Sequence, residues 1–301
     1  MRFRSAEAAD LASMAELAAP LQARPDRHVV YLATEGAGIE AELSELNLQS
    51  ASVVALSDDT PGNETIAGWL VGDVDDEIGG VWWIGPFVCD QVWQPLATEL
   101  LAEGRRRLAA GVGHEELAVD GRFDGFEAWA TDAGFVPATG SWVLTLDRTL
   151  DPDEGVVPVR RMVDGDGDEV AALHDELFPG THTLGRQLVG HHDDRHPRLV
   201  SVSDGRVTGY VAVERQPDGS GYIDFVGVRP SERRRGLGRA LVRAGVAALL
   251  AIDADPVHLT VRDDIVGARE LYESLGFTEE RLALPFRRGF PHPPPPQPPI
   301  S

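Results

Sequence analysis

The run Val226-Gly-Val-Arg-Pro-Ser-Glu-Arg-Arg-Arg-Gly-Leu-Gly-Arg-Ala-Leu241 concentrates the residue types most capable of chemistry. Between positions 229 and 243 stand six arginines (229, 233, 234, 235, 239, 243) against one acid, Glu232, in a protein of formal net charge −22. The planar guanidinium fork suits phosphate oxygens. Leu237, Leu241, Ala244, Ala248 and Ile252 recur at three- and four-residue spacing, which predicts a helix starting near Gly236. Its first N–H groups lack intrahelical acceptors and its dipole is positive there, so an anion is favoured. Glycine at 236 and 238 lets that anion approach the backbone closely. The stretch Arg233, Arg234, Arg235, Gly236, Leu237, Gly238, Arg239 and Ala240 therefore reads as a site for a phosphate-bearing ligand. All 27 basic residues are arginine, so a Walker loop, which needs lysine, is excluded. A dinucleotide fingerprint would need a third glycine and a start directly after the strand.

A second constellation follows one strand and one helix later. Val257-His-Leu-Thr-Val261 alternates as a strand, and Asp263 or Asp264 is placed to cap the next helix. Ala268, Leu271, Tyr272 and Leu275 line one face of that helix, Gly276 stops it, and Phe277 opens a further strand.

The two constellations together resemble the GNAT N-acetyltransferases. The family's Arg/Gln-x-x-Gly-x-Gly/Ala appears as Arg233-Arg-Arg-Gly236-Leu-Gly238, after Val228-Arg-Pro230, and its Ala-x-x-Leu-Tyr-x-x-x-Gly-Phe as Ala268 to Phe277. The resemblance covers residues 159–285 well and 1–146 more loosely. It implies acetyl-CoA as cosubstrate, with the pyrophosphate on the loop amides and the pantetheine arm along the backbone of Val226 and Val228. It implies direct attack of an acceptor amine on the thioester, with Tyr272 protonating the departing thiolate. A phenol of pKa about 10 is protonated at neutral pH and can do this. Backbone N–H near Val228 would stabilise the oxyanion. Many members carry asparagine seven residues before the tyrosine; here that residue is Ile265. For the base that deprotonates the amine, strand alternation puts Asp224 on the face of Val226 and Val228, and Glu214 closes the neighbouring strand.

The elements that must position these groups occur twice. Ile66-Ala-Gly-Trp-Leu-Val71 matches Val207-Thr-Gly-Tyr-Val-Ala212, Val81–Val88 aligns onto Gly221–Val228, and Asp132-Ala-Gly-Phe135 echoes Ser274-Leu-Gly-Phe277. An offset of roughly 140 residues marks a duplicated domain, not a solenoid. The expected fold is α/β: two tandem GNAT-like domains, each a mixed, mostly antiparallel twisted sheet flanked by helices. The expected domains are 1–146 and 159–286, joined by the polar segment Asp147–Pro158, with a proline-rich disordered tail at 287–301. In the first repeat both loop glycines are lost to Leu96 and Thr98, the arginine triplet is Trp93-Gln-Pro95, and the tyrosine position falls near Ala130. That domain is expected to keep the fold without the cofactor site. All six tryptophans (69, 82, 83, 93, 129, 142) precede residue 146, and core packing is the expected use.

The acidic surface argues against nucleic acid or anionic membrane as partners. One cysteine, Cys89, fits a reducing compartment. Residues 1–20 make a poor signal peptide, and the most apolar stretch, 245–252, is too short to span a bilayer, so a cytoplasmic protein is expected. Histidines 182, 191, 192 and 196 lack metal-site spacing, and no metal is expected. The expected acceptor is an amine of a small molecule or peptide. Mycothiol-synthase-type acetyltransferases share the tandem plan and length, and a non-catalytic acyl-CoA-binding protein is the reading of a different class. Acceptor identity, acyl-chain preference and oligomeric state have no motif here.

Overall fold

The computed structural model describes residues 1–30, 32–57, 65–89, 92–146, 157–179, 181 and 183–289. The expected linker, save 157–158, and the expected tail, save 287–289, lie outside the described residues. The chain forms two compact units, the first from Met1–Gly140 together with residues from Leu282 onward, the second from Ser141–Arg281.

In chain order, the first unit carries β1 (Arg2–Arg4), α1 (Leu11–Gln22), α2 (Gly36–Glu45), α3 (Leu48–Ala51), β2 (Ser52–Ser57), β3 (Thr65–Asp75), β4 (Gly80–Val88), α4 (Trp93–Arg107), β5 (His114–Asp120), α5 (Phe126–Asp132) and β6 (Val136–Pro137). Then come β7 (Ser141–Leu146), β8 (Arg160–Arg161), α6 (Gly167–Leu177), α7 (Gly185–Gly190), β9 (Arg198–Ser203), β10 (Arg206–Arg215), β11 (Gly221–Val228), α8 (Leu237–Leu250), β12 (Val257–Arg262), α9 (Val266–Ser274) and β13 (Thr278–Arg288).

The first unit's sheet runs β1-β2-β3-β4-β5-β13, and the second's runs β7-β12-β11-β10-β9-β8. Within each, one pair is parallel, β4 with β5 and β11 with β12; the other pairs are antiparallel. Each sheet therefore takes its last strand from the other repeat: β7 pairs with β12, and β13 with β5. The sequence places the final strand of each repeat inside its own domain, because periodicity identifies a strand but not its neighbour. Pairing partners are a tertiary property.

The duplication reaches further than sequence matching shows. In the first unit Arg4 Nη1 donates to Asp10 Oδ2 at 2.6 Å, and that carboxylate accepts the Glu7 N–H at 2.8 Å. In the second, Arg160 Nη1 donates to Asp166 Oδ2 at 2.6 Å, and Val163 N–H donates to the same oxygen at 2.9 Å. Both pairs pin an opening strand to the first helix. Arg160 holds the Asp166 carboxyl below the ordinary carboxylate range. Its contribution is therefore present above the unfolded-state pKa and is lost as pH falls through the folded one. Asp166→Ala is expected to cost about 1–3 kcal/mol, read as a lower urea midpoint at unchanged slope. An unchanged midpoint would show that this latch is ornamental.

Candidate functional site

In the second unit β11 pairs with β12 at Gly221↔Val257, Tyr222↔His258 and Ile223↔Leu259, and no further. Against β10 the register jumps from Val213↔Ile223 to Ala212↔Phe225, so Asp224 is an extra residue, a β-bulge. The bulge bends β11 just where it leaves β12. Val226, Gly227 and Val228 then continue paired to β10 on one side. No strand pairs with their other edge among the described residues. An extended ligand carrying amide groups fits such an edge by strand addition.

The bulge also corrects one expectation. Val226 and Val228 pack with Ile223 in the apolar core under α8, whereas Phe225 lies in the core on the opposite face, with Tyr210 and Ala212. Simple alternation from Val228 back to Asp224 fails because the extra residue resets the phase.

Past Val228 the chain makes a short 3-10 turn at Pro230–Glu232. Arg234 (φ 61°) and Gly236 (φ 80°) then adopt left-handed backbone on either side of Arg235. Gly236 caps α8, and Ala240 is the first to bond back, its N–H donating to Gly236 O at 3.1 Å. The backbone N–H groups from Arg234 to Arg239 have no acceptor among the described residues. Six consecutive donors, curled by two left-handed residues and backed by a helix dipole, form a concavity whose geometry and dipole favour an anion. Leu237 and Gly238 are buried beneath it.

The arginines divide their roles. Arg233 Nε donates to Val228 O at 3.3 Å, and Arg229 Nε to Val207 O at 3.1 Å, so both brace the turn. Arg235 pairs with Glu232 at 2.9 Å, and Arg239 Nη2 donates to Ser274 Oγ at 2.6 Å at the end of α9.

Tyr272 projects from α9 into the core under α8, 3% exposed, with its ring edge-on to Phe277. Burial pushes its phenol well above the usual range, so it stays protonated. The hydroxyl makes no hydrogen bond among the described residues. Asp263 and Asp264 do not cap α9, whose N-cap is Ile265. Asp263 instead accepts Trp142 Nε1 at 2.7 Å and lies 3.8 Å from Arg269, and Asp264 accepts a charge-assisted bond from Arg262 at 2.6 Å, stronger than a bond from a neutral N–H. Ile265 is itself a core residue, 6% exposed.

Glu214 is half-buried at the end of β10. Desolvation, reinforced by the negative charge of Asp224, raises its carboxyl above the ordinary range, while His196, Gln216 and Arg198 pull the other way. Gln216 Nε2 donates to Glu214 Oε1.

Three further residues on this side carry no motif. Tyr210 is fully buried, its ring against Gly227, where an added Cβ would come within 2.3 Å of it. His174, on α6, meets the Tyr210 hydroxyl through Nδ1 at 2.7 Å and Thr183 O through Nε2 at 2.9 Å. A carbonyl only accepts, so Nε2 carries the proton and Nδ1 accepts from the phenol. Arg198, 5% exposed, donates from Nε to Leu188 O at 3.0 Å and from Nη1 to Val213 O at 2.8 Å. The one sequence signal for Arg198 is a charge opening an otherwise apolar strand.

In the first unit aromatic rings cluster at the aligned positions. Trp93 packs against Phe123 and Trp129, ring centroids 5.3 Å away in each case. Trp129 Nε1 donates to Thr98 Oγ1 at 3.0 Å, where the second unit has Gly238. Trp69, Trp83 and Trp129 are core residues, and Trp82, Trp93 and Trp142 are half-buried. Ala130, at the tyrosine position, is fully buried. Among the described residues no group of three or more histidine, cysteine or acidic side chains is placed to hold a metal, and no helix is long and apolar enough to cross a membrane. His182 lies outside them.

Comparison with known proteins agrees with this geometry. The model of the acetyltransferase (GNAT) family matches residues 168–277. Mycothiol acetyltransferase of Thermomonospora curvata is 33% identical over 120 residues, 40% of this chain and 38% of that protein. Mycothiol acetyltransferase of Clavibacter michiganensis subsp. michiganensis is 32% identical over 132 residues, 41% of this chain and 43% of that protein. The match thus spans about two fifths of each relative's length. A GCN5-related N-acetyltransferase from Sphaerobacter thermophilus superposes with a TM-score of 0.74 at 20% identity, covering 96% of both chains. A tandem GNAT protein from the clavulanic acid biosynthesis pathway superposes with a TM-score of 0.66 at 15% identity, covering 97% of this chain and 99% of that one. The loop, the open strand edge and the tyrosine helix thus all lie within residues 168–277, the segment that matches the GNAT acetyltransferase family, and the chain as a whole has the fold of solved tandem GNAT proteins.

Proposed function

We propose that the second unit transfers an acetyl group from acetyl-CoA to the amine of a small molecule, and that the first unit is a GNAT-like fold without a cofactor site. The observation that carries this reading is the run of six unengaged N–H groups, Arg234 to Arg239, directly after the open edge of β11. The pyrophosphate belongs on those amides, with Leu237, Gly238 and Ala240 forming the floor of the turn. The pantetheine arm belongs along Val226 and Val228.

The chemistry then balances. The amine nitrogen attacks the thioester carbon, its proton passes to Glu214 or Asp224, and the carbon–sulfur bond breaks. The departing thiolate takes a hydrogen bond, then a proton, from Tyr272. Backbone N–H at the open edge of β11 stabilises the oxyanion. Burial suits Glu214 to the base role, since a carboxylate of raised pKa holds a proton better.

Calorimetric titration with acetyl-CoA tests the reading. One site per chain is expected, and two sites would show the first unit to be functional. Absence of binding would refute the acetyltransferase reading altogether. Turnover with a panel of amines then separates a catalyst from an acyl-CoA binder. A second, narrower reading is favoured by the names of the curated relatives: that the acceptor is the one used by mycothiol acetyltransferases. A cytoplasmic location completes the proposal.

A further inference from the structure

Arg198 is a charged group that the proposed mechanism leaves unused. It is 5% exposed, yet among the described residues no carboxylate lies within ion-pair distance of it. Burying a cation without a counter-ion costs several kcal/mol, so proteins rarely do it without compensation. Its three hydrogen bonds go to the carbonyls of Leu188, Pro197 and Val213, through Nε and Nη1. The second terminal nitrogen, Nη2, donates to no group among the described residues.

Strand register shows what surrounds it. Arg198 pairs across β9–β10 with Ala212, and Ala212 pairs with Phe225 on β11. One row along on the same face, Glu214 pairs with Tyr222, and Tyr222 with His258 on β12. Arg198 and Glu214 are thus diagonal neighbours, about 7–8 Å apart at the backbone and within reach of long side chains. They nevertheless make no direct pair. Asp224 stands on the bulge between the two rows. This face therefore presents a desolvated cation with the Glu214 carboxylate diagonal to it, and the charge of Asp224 acts on both, beside the edge proposed for the acetyl group.

We propose that this face receives an acceptor that is itself zwitterionic: its ammonium lies between Glu214 and Asp224, and a carboxylate on the same molecule takes the free N–H groups of Arg198 Nη2. The ligand class is a free α-amino acid or a close analogue, which bears amine and carboxylate one carbon apart. This assignment rests on the acetyltransferase reading and narrows its acceptor. The bond changes are as proposed above: the ammonium gives one proton to the carboxylate pair, the freed amine attacks the thioester carbon, and the nitrogen gives a second proton to the same pair as the carbon–sulfur bond breaks and the thiolate takes a proton from Tyr272, while the ligand's carboxylate stays ionised on Arg198.

The test uses the full chain at saturating acetyl-CoA. A panel of α-amino acids is assayed, each beside its carboxamide and the amine left when the carboxylate is removed. The expected result is a kcat/KM at least tenfold higher for one or more carboxylate-bearing members than for their two partners. Equal or better turnover of the carboxylate-free amines overturns the assignment and leaves the acetyltransferase reading standing. No turnover of any amine overturns both. Arg198→Lys is the second arm. KM for the preferred amino acid is expected to rise tenfold or more with kcat little moved, and calorimetric acetyl-CoA affinity reports that the variant is folded. An unchanged KM in that folded variant also overturns the assignment.

Discussion

Replacing Glu214 with glutamine is expected to lower kcat/KM for the acceptor by about 10²- to 10⁴-fold, the usual range for loss of a general base. The wild-type pH profile carries the same information. A base must be ionised to accept the amine's proton, so kcat/KM rises with pH through the pKa of Glu214. Burial and the charge of Asp224 place that pKa above the ordinary carboxylate range. The limb should disappear in Glu214→Gln. Stability supplies an independent check, with the opposite sign. A carboxyl whose folded pKa is raised stabilises the fold below its unfolded pKa, and that benefit is lost as pH rises through the folded value. At neutral pH the ionised side chain is a burden, so the glutamine variant should melt no lower than wild type while losing activity. Should Asp224→Asn abolish the limb and Glu214→Gln leave it intact, the base is the bulge residue instead.

The second large effect is expected at Gly236. Its φ of 80° is a left-handed value, and an added Cβ there would meet nothing within 4 Å. Space is therefore not the obstacle; backbone strain is. Left-handed backbone costs a non-glycine residue about 1–2 kcal/mol, and a β-branched one more. Gly236→Val relieves that strain by turning the peptide groups on either side, which scatters the N–H groups of the anion site. We expect acetyl-CoA affinity to fall roughly thirtyfold or more, about 2 kcal/mol, seen by titration calorimetry. The loss of global stability in urea should stay near the strain cost. A variant that binds acetyl-CoA normally would move the phosphate site away from this loop.

Much of this protein is written in local sequence. The helix Leu237–Leu250 follows from the spacing of Leu237, Leu241, Ala244 and Ala248, and the hairpin at Asp204-Gly205 from its turn residues, both with positive φ. The anion loop was legible because everything it needs lies within a dozen consecutive residues: a strand end, a proline, arginines, and glycine where the backbone turns left-handed. Local sterics and dipoles require no distant partner. The loss of that loop in the first repeat was legible for the same reason.

Tertiary structure decided the rest. No sequence rule shows that β7 pairs with β12 and β13 with β5, since a strand's pattern specifies which face is buried but not which edge it meets. The bulge at Asp224 carries no signature of its own, so counting by twos misplaced that side chain relative to Val226 and Val228. Asp263 and Asp264, caps by position in the sequence, are engaged instead by Trp142 on the adjacent strand β7 and by Arg262, a chain neighbour with a charged donor. Arg198 reads in the sequence as an ordinary charge, and only the packing of β9 beneath α7 makes it a buried cation. The raised basicity of Glu214 belongs to the same category. Desolvation and nearby charge depend on what the folded chain brings together, and sequence distance does not encode them.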